Sequence, residues 1–199
     1  MDLLAIVLVV ALVAYGIGSG MRRMLACLLA LACVTAIAQQ DAPANGVLLV
    51  AQRSLADANF RRSVVLATQA PDGHTVGVIL NRPTSVSHEG ERLGFGGPVL
   101  NRMVVALFRA ASPPPASAFH VLKNVYLSMH PQNVDALLAG ERKDFRLYSG
   151  FSAWSPGQLQ AELERDSWHV LPADEALVFR EDMSGLWEEL VARAEAARS

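Results

Sequence analysis

The sequence contains only two cysteines, Cys27 and Cys33, and both lie in an apolar N-terminal segment. Removal of that segment would leave a protein with no disulfide, no thiol nucleophile and no cysteine-ligated metal. The five histidines are scattered, without the H-x-H or H-E-x-x-H spacing of a zinc site. The net charge of -2 also lacks the basic excess of a nucleic-acid-binding domain. We therefore predict no metal, no cofactor and no nucleic-acid partner.

Charge is almost absent from residues 1–38. From Met21 the chain reads MRRMLACLLALACVTAIAQQ, a short positive start and an apolar stretch that ends in the A-x-A pattern cleaved by signal peptidase. Residues 21–38 are therefore predicted to be a signal peptide. The folded domain would then be periplasmic or envelope-associated, and it would be cytoplasmic if this signal is not functional.

Residues 1–20 leave two interpretations open. In the first, Met21 is the true start and residues 1–20 are an over-extended gene model. In the second, residues 3–20 form a membrane segment with the following arginine pair on the cytoplasmic side. A lipoprotein acylated at Cys33 is a further alternative. Under each of them, only the N-terminal segments contact the membrane. Residues 39–45 are predicted to be a polar tether, and residues 46–199 have the length of one domain.

Apolar runs and turn signals in residues 46–199 predict short strands with a few helices. Strands are predicted over 47–51, 63–68, 76–80, 103–108, 124–128, 169–171 and 176–179, with another starting near Val99 and a hairpin tip at Pro71, Asp72 and Gly73. Helices are predicted over 131–139, 156–166 and 184–197. The last helix would bury Leu186, Trp187, Leu190, Val191 and Ala194. Residues 84–93 are interpreted as a mobile polar loop, and 112–118 as a stiff surface connection.

Residues 145–168 (FRLYSGFSAWSPGQLQAELERDSW) give the strongest local signal. A short apolar run would be followed by a loop over residues 150–154. Ser155 would then cap a helix that begins at Pro156, and Gln158 would complete a capping box. We expect Trp154 and Trp168 to be core anchors on either side of this helix, with a ligand-stacking role as the alternative.

No catalytic residue is predicted. The segment GFSAW at 150–154 resembles a nucleophile elbow only in part, because Trp154 replaces the second glycine of G-x-S-x-G and the strained turn has no room for it. Glu162 and Glu164 lie on adjacent faces of the predicted helix, so they are interpreted as a solvated face and not as a paired acid and base.

One group of residues at strand ends forms a binding hypothesis, because loops at strand ends often carry sites. It consists of Asn81, Arg82, Gly96, Gly97, Trp154 and Gln158. Arg82 beside an exposed helix N-terminus would suit an anionic ligand or a partner's carboxylate. The paired glycines would mark a tight turn or the close approach of another backbone. The alternative is that Arg82 and Gln158 tie the loops together structurally.

Several segments, in this order, resemble the YqgE/AlgH family: GVLLVA, NFRRSVVL, VGVILNRP, FGGPV, SGFSAWSPGQLQAEL and LVF. They span about residues 46–190. The resemblance implies an α+β fold, a single domain with a mixed, curved β-sheet packed against a few helices. It implies no reaction. The AlgH name suggests a transcriptional role, but this sequence shows neither a helix-turn-helix nor a basic face.

Three positions depart from the family pattern. Gln52 and Arg53 stand where a proline is usual, Ala153 replaces a glycine before Trp154, and a histidine is missing from the strand that ends at Arg109. We interpret the chain as an exported, non-enzymatic binding or interaction domain. Two alternatives remain open: an uncharacterised enzyme that acts on a small anionic substrate at the same loops, and, less favoured, a transcriptional regulator.

Overall fold

The computed structural model describes residues 44–141 and 144–198. The predicted signal peptide, the apolar extension and most of the tether lie outside these residues. The strands are β1 Val47–Ala51, β2 Val64–Gln69, β3 Thr75–Ile79, β4 Pro83–His88, β5 Glu91–Phe95, β6 Val99–Arg109, β7 Phe119–Leu122, β8 Val125–Ser128, β9 Phe145–Trp154 and β10 Trp168–Pro172. The helices are α1 Pro131–Ala139, α2 Gln158–Glu164, α3 Glu175–Val178 and α4 Leu186–Ala196.

These strands form one sheet in the order β10-β1-β2-β3-β9-β6-β8-β7, with β5 beside β9 and β4 beside β5. Strand β9 organises the sheet because it has three neighbours. It pairs with β6 along one side, and with β5 and then β3 along the other. The β5–β9 pair is parallel, whereas the others are antiparallel, so the predicted mixed sheet and α+β class are confirmed.

The sheet is strongly curved. The backbone N–H of Gly46, just before β1, donates to the carbonyl of Val121 in β7 at 2.8 Å, although these strands lie far apart in the strand order. Curvature encloses β1, β2 and β3, and nearly all their residues are buried. Their continuous apolar runs are therefore explained by burial on both faces. Asn45, assigned to the tether, is held by β2, because its Oδ1 accepts from the backbone N–H of Gln69 at 3.1 Å.

Helices α1 and α4 begin and end close to their predicted limits. Helix α1 matches its predicted range, with Pro131 in the first turn and Gly140 at its C-cap. It covers a second, smaller apolar cluster that contains Val134 and Leu147. Helix α4 is somewhat shorter than predicted, and all five residues expected to face inward are buried. Helical periodicity in the sequence was therefore sufficient to predict both helices.

Residues 84–93 do not form a loop, so that interpretation is wrong. They belong to the hairpin of β4 and β5, whose tip has Glu89 at φ 48° and Gly90 at φ 85°. Two successive residues with positive φ form the tight turn that matches the twist of paired strands. The sequence lacks the usual Asn-Gly or Asp-Gly signal at this tip, which explains the error.

The predicted strand at 176–179 is also wrong. Residues Glu175–Val178 form the short helix α3, because the Asp174 carboxylate caps it by accepting from the backbone N–H of Leu177 at 2.8 Å. Strand β7 was not predicted at all. It is short and lies at the edge of the sheet, where the apolar pattern is weak.

Residues 150–154 are strand, because β9 continues to Trp154, so the predicted loop is wrong. Helix α2 begins at Gln158, two residues later than predicted. The intervening SPGQ forms a turn in which the Gln158 N–H donates to the Ser155 carbonyl at 3.0 Å. Gly157 has φ 80° and ψ -16°, which suits the third residue of a type II turn after proline. The Gln158 side chain does reach back to the Ser155 N–H, at 3.2 Å.

Candidate functional site

A single helical turn at residues 57–62 lies at the centre of the predicted site residues. Asp57 Oδ1 caps its start by accepting from the backbone N–H groups of Asn59 at 2.8 Å and Phe60 at 3.2 Å. Arg62 ends the turn in the left-handed region, with φ 56°. So short a turn leaves its last carbonyl groups without helical partners.

Asn81 and Arg82 supply those partners from the end of β3. The Arg82 guanidinium donates to the carbonyl of Asn59 and, at 3.1 Å, to that of Arg61. Asn81 Nδ2 donates to the Arg62 carbonyl at 3.0 Å, while its Oδ1 accepts from the Val64 N–H at 2.9 Å. Both side chains therefore fasten the 57–62 turn to the sheet.

Arg61 and Arg82 meet at this turn, where the Arg82 guanidinium donates to the backbone carbonyl of Arg61. Arg82 is half-buried, with its Cζ atom 5.7 Å from the centre of the Phe95 ring. Burial lowers the pKa of Arg82, the positive charge of Arg61 lowers it further, and Asp57 acts in the opposite direction. Arg61 is exposed, and within the described ranges its side chain forms no ion pair or hydrogen bond.

The turn also connects the site to the two tryptophans. The Phe60 ring lies 5.8 Å from the Trp154 ring and 5.6 Å from the Trp168 ring. The indoles pack edge to face at 6.1 Å, and each is only 2% exposed. The prediction that both tryptophans are core anchors is confirmed.

Glu162 binds both indoles, so its assignment to a solvated face is wrong. The Nε1–H groups of Trp154 and Trp168 donate to Glu162 Oε2 at 3.0 and 2.8 Å. Gln158 Nε2 donates to the other carboxylate oxygen at 3.2 Å. Buried indole N–H groups need acceptors, but the sequence does not show which group supplies them.

Gly96 and Gly97 let two backbones approach closely, as one of the sequence interpretations expected. A Cβ atom on Gly96 would lie 2.2 Å from the Gly150 carbonyl oxygen, and one on Gly97 would lie 2.4 Å from that of Phe151. Gly96 also links β3 to β9 through its backbone. Its carbonyl accepts from the Ile79 N–H, and its N–H donates to the Ser149 carbonyl, both at 3.0 Å.

Ser152 has a structural role. It lies within β9, it is fully buried, and its hydroxyl donates to the Gly96 carbonyl at 3.1 Å. A nucleophile elbow requires a sharp turn between a strand and a helix, and residues 150–154 are extended strand instead.

The structure therefore brings Asn81, Arg82 and Trp154 together around the 57–62 turn. Gln158 joins them through Glu162, and the two glycines lie against β9. Arg61 and Glu162 are the neighbours that sequence reasoning missed. In the described part of the chain, no group of three His, Cys, Asp or Glu side chains could hold a metal ion.

Among residues 44–141 and 144–198, no helix has the length and apolar character needed to cross a membrane.

Comparison with known proteins points to one family. The model of a family described as AlgH-like (DUF179) matches residues 48–198. A UPF0301 protein of Thermobifida fusca is 35% identical, over 75% of this chain and 86% of its own length. A UPF0301 protein of Mycobacterium tuberculosis is 32% identical, over 74% of this chain and 81% of its own.

Two solved structures have the same fold. The AlgH protein from Pseudomonas aeruginosa aligns with a TM-score of 0.63 and 23% identity, covering 77% of this chain and 91% of that one. A protein from Corynebacterium diphtheriae aligns with a TM-score of 0.62 and 24% identity, covering 77% of this chain and 88% of that one.

Proposed function

Because the chain belongs to the AlgH-like family, which has no established biochemical activity, we propose a function from the residues of this chain alone. It is an exported, non-enzymatic binding protein that holds an acidic group of a partner or small ligand at the 57–62 turn. Arg61 makes the contact, and Arg82 supports it from the end of β3.

The two arginines at the 57–62 turn carry this proposal, because the Arg82 guanidinium is bonded to the Arg61 carbonyl and the Arg61 side chain is exposed. Arg61 is exposed and lowers the pKa of Arg82 by repulsion. An anion placed between the two groups would relieve that repulsion, and guanidinium groups suit carboxylate and phosphate oxygens because their donors form a planar fork. Arg82 already uses two of its N–H donors on backbone carbonyls. Arg61 therefore has more donors available for an anion.

The alternative of an enzyme at these loops has less support. Asn81 and Arg82 donate to backbone groups and Trp154 packs in the core. The only serine among residues 150–154 is buried and bonded to Gly96. A positioned nucleophile or base would need to reach a substrate proton directly or through one water. The arrangement favours recognition of charge over group transfer.

A calorimetric titration of the purified domain with succinate and with inorganic phosphate tests the binding role. At low salt we expect Arg61→Ala to weaken binding by about ten- to a hundredfold, since a hydrogen bond to a charged group contributes roughly 1.5–3 kcal/mol. Arg102→Ala is the matched control, because Arg102 is also exposed. Equal losses in the two variants, or no binding by the native domain, would count against the proposal.

Export is tested separately by cell fractionation and by the mass of the mature protein. Cleavage after Ala38 predicts a mature chain that begins at Gln39 and is found outside the cytoplasm. A cytoplasmic protein that retains residues 21–38 would refute the export proposal and leave the binding proposal intact.

A further inference from the structure

His169 is buried in β10 with one ring nitrogen unsatisfied. The side chain is 3% exposed, and Nδ1 lies 3.3 Å from Gln52 Nε2. Nε2 is buried and makes no hydrogen bond. A neutral ring tolerates this, because one nitrogen accepts from the amide and only the other remains unpaired.

Charged groups on three neighbouring segments influence the pKa of this ring. They are Arg53 after β1, Asp166 before β10, and Glu195 and Arg198 at the end of α4. Two ion pairs join these segments: Arg53 Nε lies 2.9 Å from Glu195 Oε1, and Arg198 Nη1 lies 3.7 Å from Asp166 Oδ1. The end of α4 is thus tied by ion pairs to the two segments that carry Gln52 and His169.

We propose that His169 is an acid-sensitive latch for the last turn of α4. When the ring gains a proton, the two ion pairs separate and the turn opens. Protonation makes both ring nitrogens donors, and the new charge repels Arg53 and Arg198 while it attracts the carboxylates of Glu195 and Asp166. Exposed ion pairs of this kind are individually weak, so a new charge on the ring is enough to rearrange them.

The direction of the pH effect follows from burial. Burial, followed by the charge of Arg198, lowers the pKa of His169 from its ordinary value of 6.5. The open or unfolded state therefore binds the proton more strongly than the closed state. The closed state is fully favoured above about pH 6.5 and loses stability as the pH falls below that value.

Hydrogen exchange of the intact protein at pH 7.5 and 5.5 tests the latch, with rates divided by the intrinsic rates at each pH. We expect protection of the backbone amides at 195–198 to fall on acidification, by up to about tenfold per pH unit. His169→Gln, which stays neutral, should remove this dependence. His74→Gln, at an exposed turn histidine paired with Asp72, should retain it.

Protection that does not change with pH in the native protein, or a fall that persists in His169→Gln, would overturn the proposal. If His169→Gln does not fold, the native protein still decides the matter through NMR titration of the His169 ring. The ring must titrate at the pH at which the last turn of α4 opens, and separate midpoints would contradict the latch.

Discussion

Arg61 and Arg82 show how two residues of one type can serve different purposes at the same turn. Arg82 projects from a strand end and donates to the carbonyls of Asn59 and Arg61, so it completes the backbone hydrogen bonding of the turn. Arg61 projects into solvent. Stability and binding should therefore respond to different residues.

Replacing Arg82 by alanine is expected to lower the free energy of unfolding by about 1–3 kcal/mol, because the turn loses two hydrogen bonds from a charged donor. Arg82→Lys should recover only part of the loss, since an ammonium group cannot reproduce the planar fork. Urea unfolding measures both variants. Arg61→Ala should change stability by less than about 0.5 kcal/mol, and an equal loss in Arg61→Ala and Arg82→Ala would contradict the division of roles.

Glu162 is the other residue whose loss should be costly. Glu162→Ala leaves the indole N–H groups of two buried tryptophans without their acceptor, which should cost about 2–4 kcal/mol. Glu162→Gln retains an acceptor oxygen and should cost less. Thermal unfolding followed by tryptophan fluorescence checks this prediction. Glu164→Ala, on the exposed side of α2, is the control, and a comparable effect there would count against the assignment.

At the scale of elements, the link between β5 and β6 crosses directly over β9. Gly97 has φ 152°, and a side chain there would collide with the backbone of Phe151. The absence of a side chain at this link allows β9 to pair with β3, β5 and β6 together. The glycines belong to the sheet's architecture more than to an open loop.

Gly97→Ala should therefore reduce stability by more than about 3 kcal/mol or prevent folding, since overpacking alone typically costs roughly 1–3 kcal/mol and backbone strain adds to it. Gly140→Ala is the matched control, because Gly140 has φ -82° and its nearest contact would be 3.3 Å away. Soluble yield and circular dichroism compare the two. A stable Gly97→Ala with native β-sheet content would show that the close approach is not required.

For the whole molecule, periodicity and composition predicted what depends on local pattern. The apolar runs predicted the buried strands β1 to β3, and helical spacing predicted α1 and the buried face of α4. The hairpin at Glu89 and Gly90 was missed because its backbone conformation is imposed by strand pairing, without a glycine-rich signal of its own.

The candidate site was predicted only in part, because the local pattern shows some of its residues but not their partners. Strand ends and glycine pairs identified Asn81, Arg82 and Gly97, yet their partners lie on segments distant in the chain. Neither the turn carbonyls that bind Arg82 nor the carboxylate of Glu162 that receives two indoles could be located without the fold. Pairing between segments that are distant in the chain determines which groups a side chain contacts, and the local sequence pattern does not contain that information.

The proposal that the 57–62 turn recognises an acidic group is tested most directly by NMR mapping of succinate binding on the native domain at low salt. We expect amide shifts concentrated at Asn59, Arg61 and Arg82, which disappear in Arg61→Ala and persist in Arg102→Ala. Shifts spread evenly over exposed arginines such as Arg92 and Arg102, or no shift at the turn, would contradict it.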